Sequence, residues 1–180
     1  CSGADTMVLE ISATPYIFTF KLWDWGRVDR DGKPRPIHLE HGAANIQWYR
    51  NTEWVHRNLV NAVAEVYTGE NGTVVRTGLH EREFLDTFRF TTSSALPVHR
   101  NGSVHMLNLV DGTRAVLRSK SDAFPPLELH YAETCIVPQA AGDYEIYSPD
   151  GSEVKVILAC VRNGVILYAA GCQSGQRMHH

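Results

Sequence analysis

Six side chains between positions 10 and 41 are of types that could do chemistry: Glu10, Lys21, Asp24, Arg27, His38 and His41. The first four offer acid–base work, carboxylates to exchange protons and cations to stabilise developing negative charge. Each also has a plainer reading as a solvated or salt-bridged surface group. His38 and His41 are three apart, so on a helix they share one face and could reach one metal ion. Their spacing is not the four of HExxH zinc enzymes, and no third ligand is evident. Surface or packing histidines are therefore expected there. His99 and His105 flank an Asn101-Gly102 turn and His130 falls in a later strand; these too are expected to be exposed or structural. The chain has no P-loop, no dinucleotide fingerprint, no G-x-S-x-G elbow and no protease-like cysteine signature.

The elements that must position these groups begin with strands expected at 7–11 and 16–23. The second is rich in aromatic and β-branched residues, with Tyr16, Phe18 and Phe20 on one face and Ile17, Thr19 and Lys21 on the other. Asp29 to Pro36 reads as a loop turning at Asp31-Gly32. Pro36 could open a short helix, IHLEHGAANIQ, which Gly42 weakens. Residues 47–65 mix helical spacing (Trp48, Val55, Leu59) with strand-like runs and stay partly unassigned. Beyond Val66 the pattern becomes short strands between Gly, Asn and Pro turns: Thr73–Leu79, Glu83–Thr91, Val104–Leu109, Thr113–Ser119, Leu127–Tyr131, Thr134–Pro138, Gly142–Tyr147 and Glu153–Val161. That spacing predicts a double-sheet sandwich or jelly roll. In the second of these strands Asp86 intrudes among Phe84, Phe88 and Phe90.

With 180 residues the chain can hold one domain and part of another. Its 43% hydrophobic and 21% charged residues are those of an ordinary globular protein. A net charge of −3, with basic residues scattered, argues against nucleic-acid binding. No apolar run is long enough for a membrane span. The four cysteines are widely spaced and form no CxxC pair. Cys135 and Cys160, in apolar runs, read as buried free thiols, and a reducing, cytoplasmic setting is expected. Asn71-Gly72-Thr73 and Asn101-Gly102-Ser103 fit the glycosylation pattern but read more simply as turns. The chain opens at Cys1 on what looks like an interior strand, as a cut through a domain would.

Four segments in fixed order carry a resemblance: Val8-Leu9-Glu10-Ile11, Leu22-Trp23-Asp24-Trp25-Gly26-Arg27-Val28-Asp29, Asp31-Gly32-Lys33-Pro34-Arg35 and Ile37-His38-Leu39-Glu40. Together they resemble class I mannose-6-phosphate isomerase in its short bacterial form, a cupin-superfamily enzyme. The later strands, with His105 to Gly112 and Ile136-Val137-Pro138 to Gly142, look like that family's C-terminal cupin. The resemblance implies a mainly β, cupin-type jelly-roll barrel at 66–162, preceded by the last strands of a truncated first cupin at 1–36, a connector at 37–65 and a tail at 163–180. It further implies interconversion of mannose 6-phosphate and fructose 6-phosphate by zinc-dependent cis-enediol proton transfer, with a small-molecule sugar phosphate as the partner.

By the same resemblance the zinc ligands lie before residue 1 and none falls on this chain, so the chain is expected to be inactive alone. Lys21 takes the place of a family arginine that faces the sugar phosphate, keeping the charge and losing the bidentate fork. Glu10 is the other catalytic candidate, and Arg27 a substrate-binding cation at the rim. The position of a family aspartate falls near Pro15-Tyr16, which holds no acid. The alternative expectation is a non-catalytic cupin that binds a carbohydrate or sugar phosphate, and a weaker one is a structural barrel that mediates dimerisation. The oligomeric state is not read from the sequence.

Overall fold

The computed structural model describes residues 6–12, 20–78, 80 and 82–163. The chain divides into two compact units, Cys1–Val60 and Asn61–His180.

In the second unit, alternation of apolar and polar residues builds two antiparallel sheets. Along β3 (Leu85–Thr92) every second residue, Asp86, Phe88, Phe90 and Thr92, is buried. Along β10 (Val154–Val161) Val154, Val156, Leu158 and Cys160 are buried in the same period. The other strands are β1 (Ala64–Gly69), β2 (Gly72–Arg76), β4 (Ala95–Val98), β5 (His105–Asp111), β6 (Arg114–Ser119), β7 (Leu127–His130), β8 (Thr134–Val137) and β9 (Tyr144–Tyr147). They pair in the orders β1-β2-β3-β10-β5-β8 and β4-β9-β6-β7. Between the sheets lies one core that includes Val74, Phe90, Leu96, Leu107, Leu117, Ile146 and Leu158, all fully buried. Burying each such side chain contributes on the order of 1.5–3 kcal/mol.

All eight strands expected after Val66 form, with ends shifted by up to three residues. Two more were not foreseen. The first, β1, is an edge strand that pairs with β2 through the Glu70-Asn71 turn. The second, β4, contains Pro97, and it sits at a sheet edge, where a missing N–H breaks no ladder.

The first unit departs further from expectation. The strand expected at 7–11 does not form: residues 7–11 join no β-ladder among the described residues, and Met7 to Glu10 are exposed. Of the strand expected at 16–23, residues 20–23 join no β-ladder, the Lys21 backbone bonding to His38 instead, and 16–19 lie outside the described residues. A strand exists only through a hydrogen-bonded neighbour, and aromatic composition alone does not supply one. The connector contains two helices, α1 (Leu39–Asn45) and α2 (Thr52–Asn58). In α1, Gly42 is buried where an added Cβ would come within 2.3 Å of Leu22 Cδ2. That atom is the end of a flexible, exposed side chain, so a residue larger than glycine there would require Leu22 to shift. Asn51 caps α2, its Oδ1 accepting the Trp54 N–H at 2.9 Å. No helix among the described residues is long and apolar enough to cross a membrane.

Candidate functional site

In the first unit the predicted cations gather around Asp24. The segment Asp24-Trp25-Gly26-Arg27 is a tight turn closed by Arg27 N–H donating to the Asp24 carbonyl at 2.9 Å. A bridge between Val28 and Pro34 then brings Arg35 back to Asp24. Arg35 Nε donates to Asp24 Oδ2 and Nη2 to Oδ1, both at 2.6 Å. This bond to Arg35 holds the Asp24 carboxyl below its ordinary value, and the nearby charges of Lys21 and Arg27 add to the effect. Asp24, 8% exposed, is therefore a fixed anion and not a proton shuttle.

Lys21 is half-buried and tied by its backbone: its N–H donates to His38 Nδ1 at 3.3 Å and its carbonyl accepts the His38 N–H at 2.7 Å. Arg27 is exposed. Neither side chain makes a hydrogen bond or ion pair among the described residues. Glu10 is exposed and is brought to no partner among those residues. His38 and His41 both pack on the Phe20 ring, with centroids 6.1 and 5.9 Å away. They serve packing there.

In the second unit one end of the sheet interior is polar. The strand register sets Asp86, Cys160, His105 and Val137 side by side across the six-stranded sheet. Asp86 accepts Arg76 Nε at 2.9 Å and Arg162 Nε at 3.0 Å. His105 is fully buried, with Nε2 3.1 Å from Asn101 Oδ1 and Nδ1 2.9 Å from the Tyr144 hydroxyl. Asn101 Oδ1 also accepts the Ser103 N–H, and Asn101 Nδ2 donates to Cys160 Sγ at 3.2 Å. This fixes the imidazole tautomer: Nε2–H donates to Asn101, and Nδ1 accepts from Tyr144. Burial pushes His105 down to about 4 and keeps it neutral, while it pushes the Cys160 and Cys135 thiols up to about 11. Neither thiol is an activated nucleophile.

A separate cleft of about 410 Å³ opens between β7 and β8, the last strands of their sheets. Phe124, Pro125, Leu127, Ile136, Val137 and Pro138 line it, and no charged side chain does. It can hold an apolar group but offers no reactive atom.

No family model matches the sequence, and no curated protein matches it. Solved structures do resemble it. The mannose 6-phosphate isomerase from Bacillus subtilis superposes with a TM-score of 0.53 at 13% identity, over 78% of this chain and 39% of that one. A cupin-2 domain from Rhodospirillum rubrum gives 0.46 at 11% identity, over 57% of this chain and 72% of that one. Setting β1 and β2 aside, the eight strands β3 to β10 distribute between the two sheets as β3-β10-β5-β8 and β4-β9-β6-β7, the double Greek key of a jelly roll. The fold is a cupin jelly roll.

Zinc, which the isomerase resemblance implies, does not fit the described residues of this cupin. No group of three or more His, Cys, Asp or Glu among them could hold a metal ion. At the polar end of the barrel both His105 nitrogens and the Cys160 sulfur are already engaged inside the protein.

Sequence reasoning passed over Arg35, whose pairing with Asp24 depends on a turn that brings back a residue eleven positions away. It also passed over Asn101 and Tyr144 as partners of His105. One signal was available for His105: in β5 it alternates in phase with Leu107 and Leu109, so it had to point inward.

Proposed function

We propose that this chain belongs to a mannose-6-phosphate isomerase-like protein that interconverts mannose 6-phosphate and fructose 6-phosphate. One observation carries the reading. The likeness to the Bacillus subtilis isomerase covers 78% of this chain, more than the two thirds that lies in residues 61–180, so it reaches into the first unit. Lys21 and Arg27 support it from that unit, as two cations with no carboxylate of their own among the described residues.

In this reading the Glu10 carboxylate takes the C2 proton of the open-chain aldose and returns it to C1, while the O2 hydroxyl proton passes to O1 and leaves the C2 ketone. Lys21 stabilises the enediolate oxygen as a point charge. Arg27 receives the phosphate at the rim. Arg35, clamped on Asp24, keeps the turn bearing Arg27 in place. Zinc belongs to residues other than those described in this chain, so the chain alone is inactive.

The test is turnover of mannose 6-phosphate by the full-length parent with zinc, and by its Lys21→Ala variant. The reading expects fructose 6-phosphate from the parent and at least a tenfold loss in kcat/KM for the variant. No product, or full activity without Lys21, would refute it.

The closed network around His105 favours a second reading, a non-catalytic cupin that binds a sugar phosphate, since both His105 nitrogens and the Cys160 sulfur are engaged within the protein. Stoichiometric binding with no turnover in the parent would select it.

A further inference from the structure

The turn that carries Arg27 has a second feature. Trp25 has φ of +58° and Gly26 of +68°, and with the Arg27 N–H to Asp24 carbonyl bond this is the pattern of a type I′ turn. Asn, Asp and Gly suit such a turn, and a bulky residue in the left-handed region is strained there. The Asp24–Arg35 clamp and the Val28–Pro34 bridge hold the strain on either side. Despite that cost the indole is not used inside the protein. Trp25 is 77% exposed and Trp23 67% exposed, and the two rings meet edge to face with centroids 6.4 Å apart. The charges of Lys21 and Arg27 both act on Asp24 at the base of this turn. Arg35 already neutralises Asp24, so two positive charges are left beside an exposed aromatic pair.

We propose that Trp23 and Trp25 form a stacking platform for the ring of a phosphorylated sugar whose phosphate is held by Arg27, with Lys21 adding positive charge nearby. The ligand class rests on the function proposed above, whereas the platform rests on the turn. An indole face receives the C–H face of a pyranose through apolar and polarisation contact, and only a ring left out in solvent is available for that. The surrounding charge selects an anionic sugar over a neutral one. A rigid, pre-strained turn presents the ring without an ordering cost on binding.

Calorimetric titration of the 180-residue chain with mannose 6-phosphate and with inorganic phosphate tests this, using Trp25→Asn, Trp25→Phe and Arg27→Gln. Trp25→Asn creates Asn-Gly, the preferred pair for this turn, so its thermal midpoint should be unchanged or higher. It should weaken mannose 6-phosphate roughly tenfold, the size of an aromatic contact, and leave phosphate unaffected. Trp25→Phe should keep most of the sugar affinity, and Arg27→Gln should weaken both ligands. Unchanged mannose 6-phosphate binding in Trp25→Asn overturns the platform and leaves the functional reading standing. Equal losses for sugar phosphate and phosphate in that variant, or a Trp25→Phe as weak as Trp25→Asn, also overturn it. If the unaltered chain binds phosphate but no mannose 6-phosphate more tightly, the platform and the functional reading fall together.

Discussion

Arg35 grips Asp24 with two nitrogens on two oxygens, each at 2.6 Å, and so closes the loop that carries Trp25 and Arg27. The folded Asp24 carboxyl lies below its ordinary 3.8. Whatever stability the pair supplies is therefore complete above about pH 4 and lost as pH falls through the folded value. Carboxyl-carbon NMR should show Asp24 still ionised where exposed aspartates have half protonated. A midpoint at or above 3.8 would mean the clamp does not form in solution.

The burial of His105 makes a prediction of the same sign in a higher pH window. Its ordinary value of 6.5 falls to about 4 in the folded protein. Between those values the unfolded chain binds a proton that the folded chain does not, so stability rises with pH across this window. The His105 contribution is complete above pH 6.5 and falls by about 3 kcal/mol on going down to pH 4. Urea unfolding of the chain and of His105→Gln should show this pH dependence in the first and a reduced one in the second. The ring resonances of His105 should not shift between pH 8 and pH 5. Titration near 6.5 would show that the imidazole reaches water.

Asp86 is buried with guanidinium groups from both β2 and the end of β10 upon it, at 6% exposure. Arg162 also donates to the carbonyls of Gly78, His80 and Leu85, so this anion fastens the segment before β3. Asp86→Ala leaves two cations without their buried counter-charge and should cost about 3 kcal/mol. Denaturant unfolding checks it, and a loss below about 1 kcal/mol would mean the carboxylate is replaceable by water.

The sequence made the barrel legible where burial imposes a strict period. The alternation of Phe84, Asp86, Phe88 and Phe90 locates β3, and the Asn-Gly and Asp-Gly pairs mark the strand ends. Legibility failed where an edge relaxes the rules, as with Pro97 in β4, and where pairing was assumed from composition, as at 7–11. Lys21 and Arg27 could be named from resemblance, but the Asp24–Arg35 clamp that organises them could not. Pairing across a turn depends on backbone geometry that neither periodicity nor propensity encodes. His105 was legible as inward-facing, yet its partners Asn101 and Tyr144 arrive from a loop and from the opposite sheet.

The most direct test is whether Lys21 binds a sugar phosphate. In calorimetric titrations of mannose 6-phosphate into the 180-residue chain, saturable binding is expected, with Lys21→Ala weakened at least tenfold and Lys21→Arg equal to the unaltered chain or tighter. Binding that Lys21→Ala leaves unchanged, or no binding at all, would contradict the account.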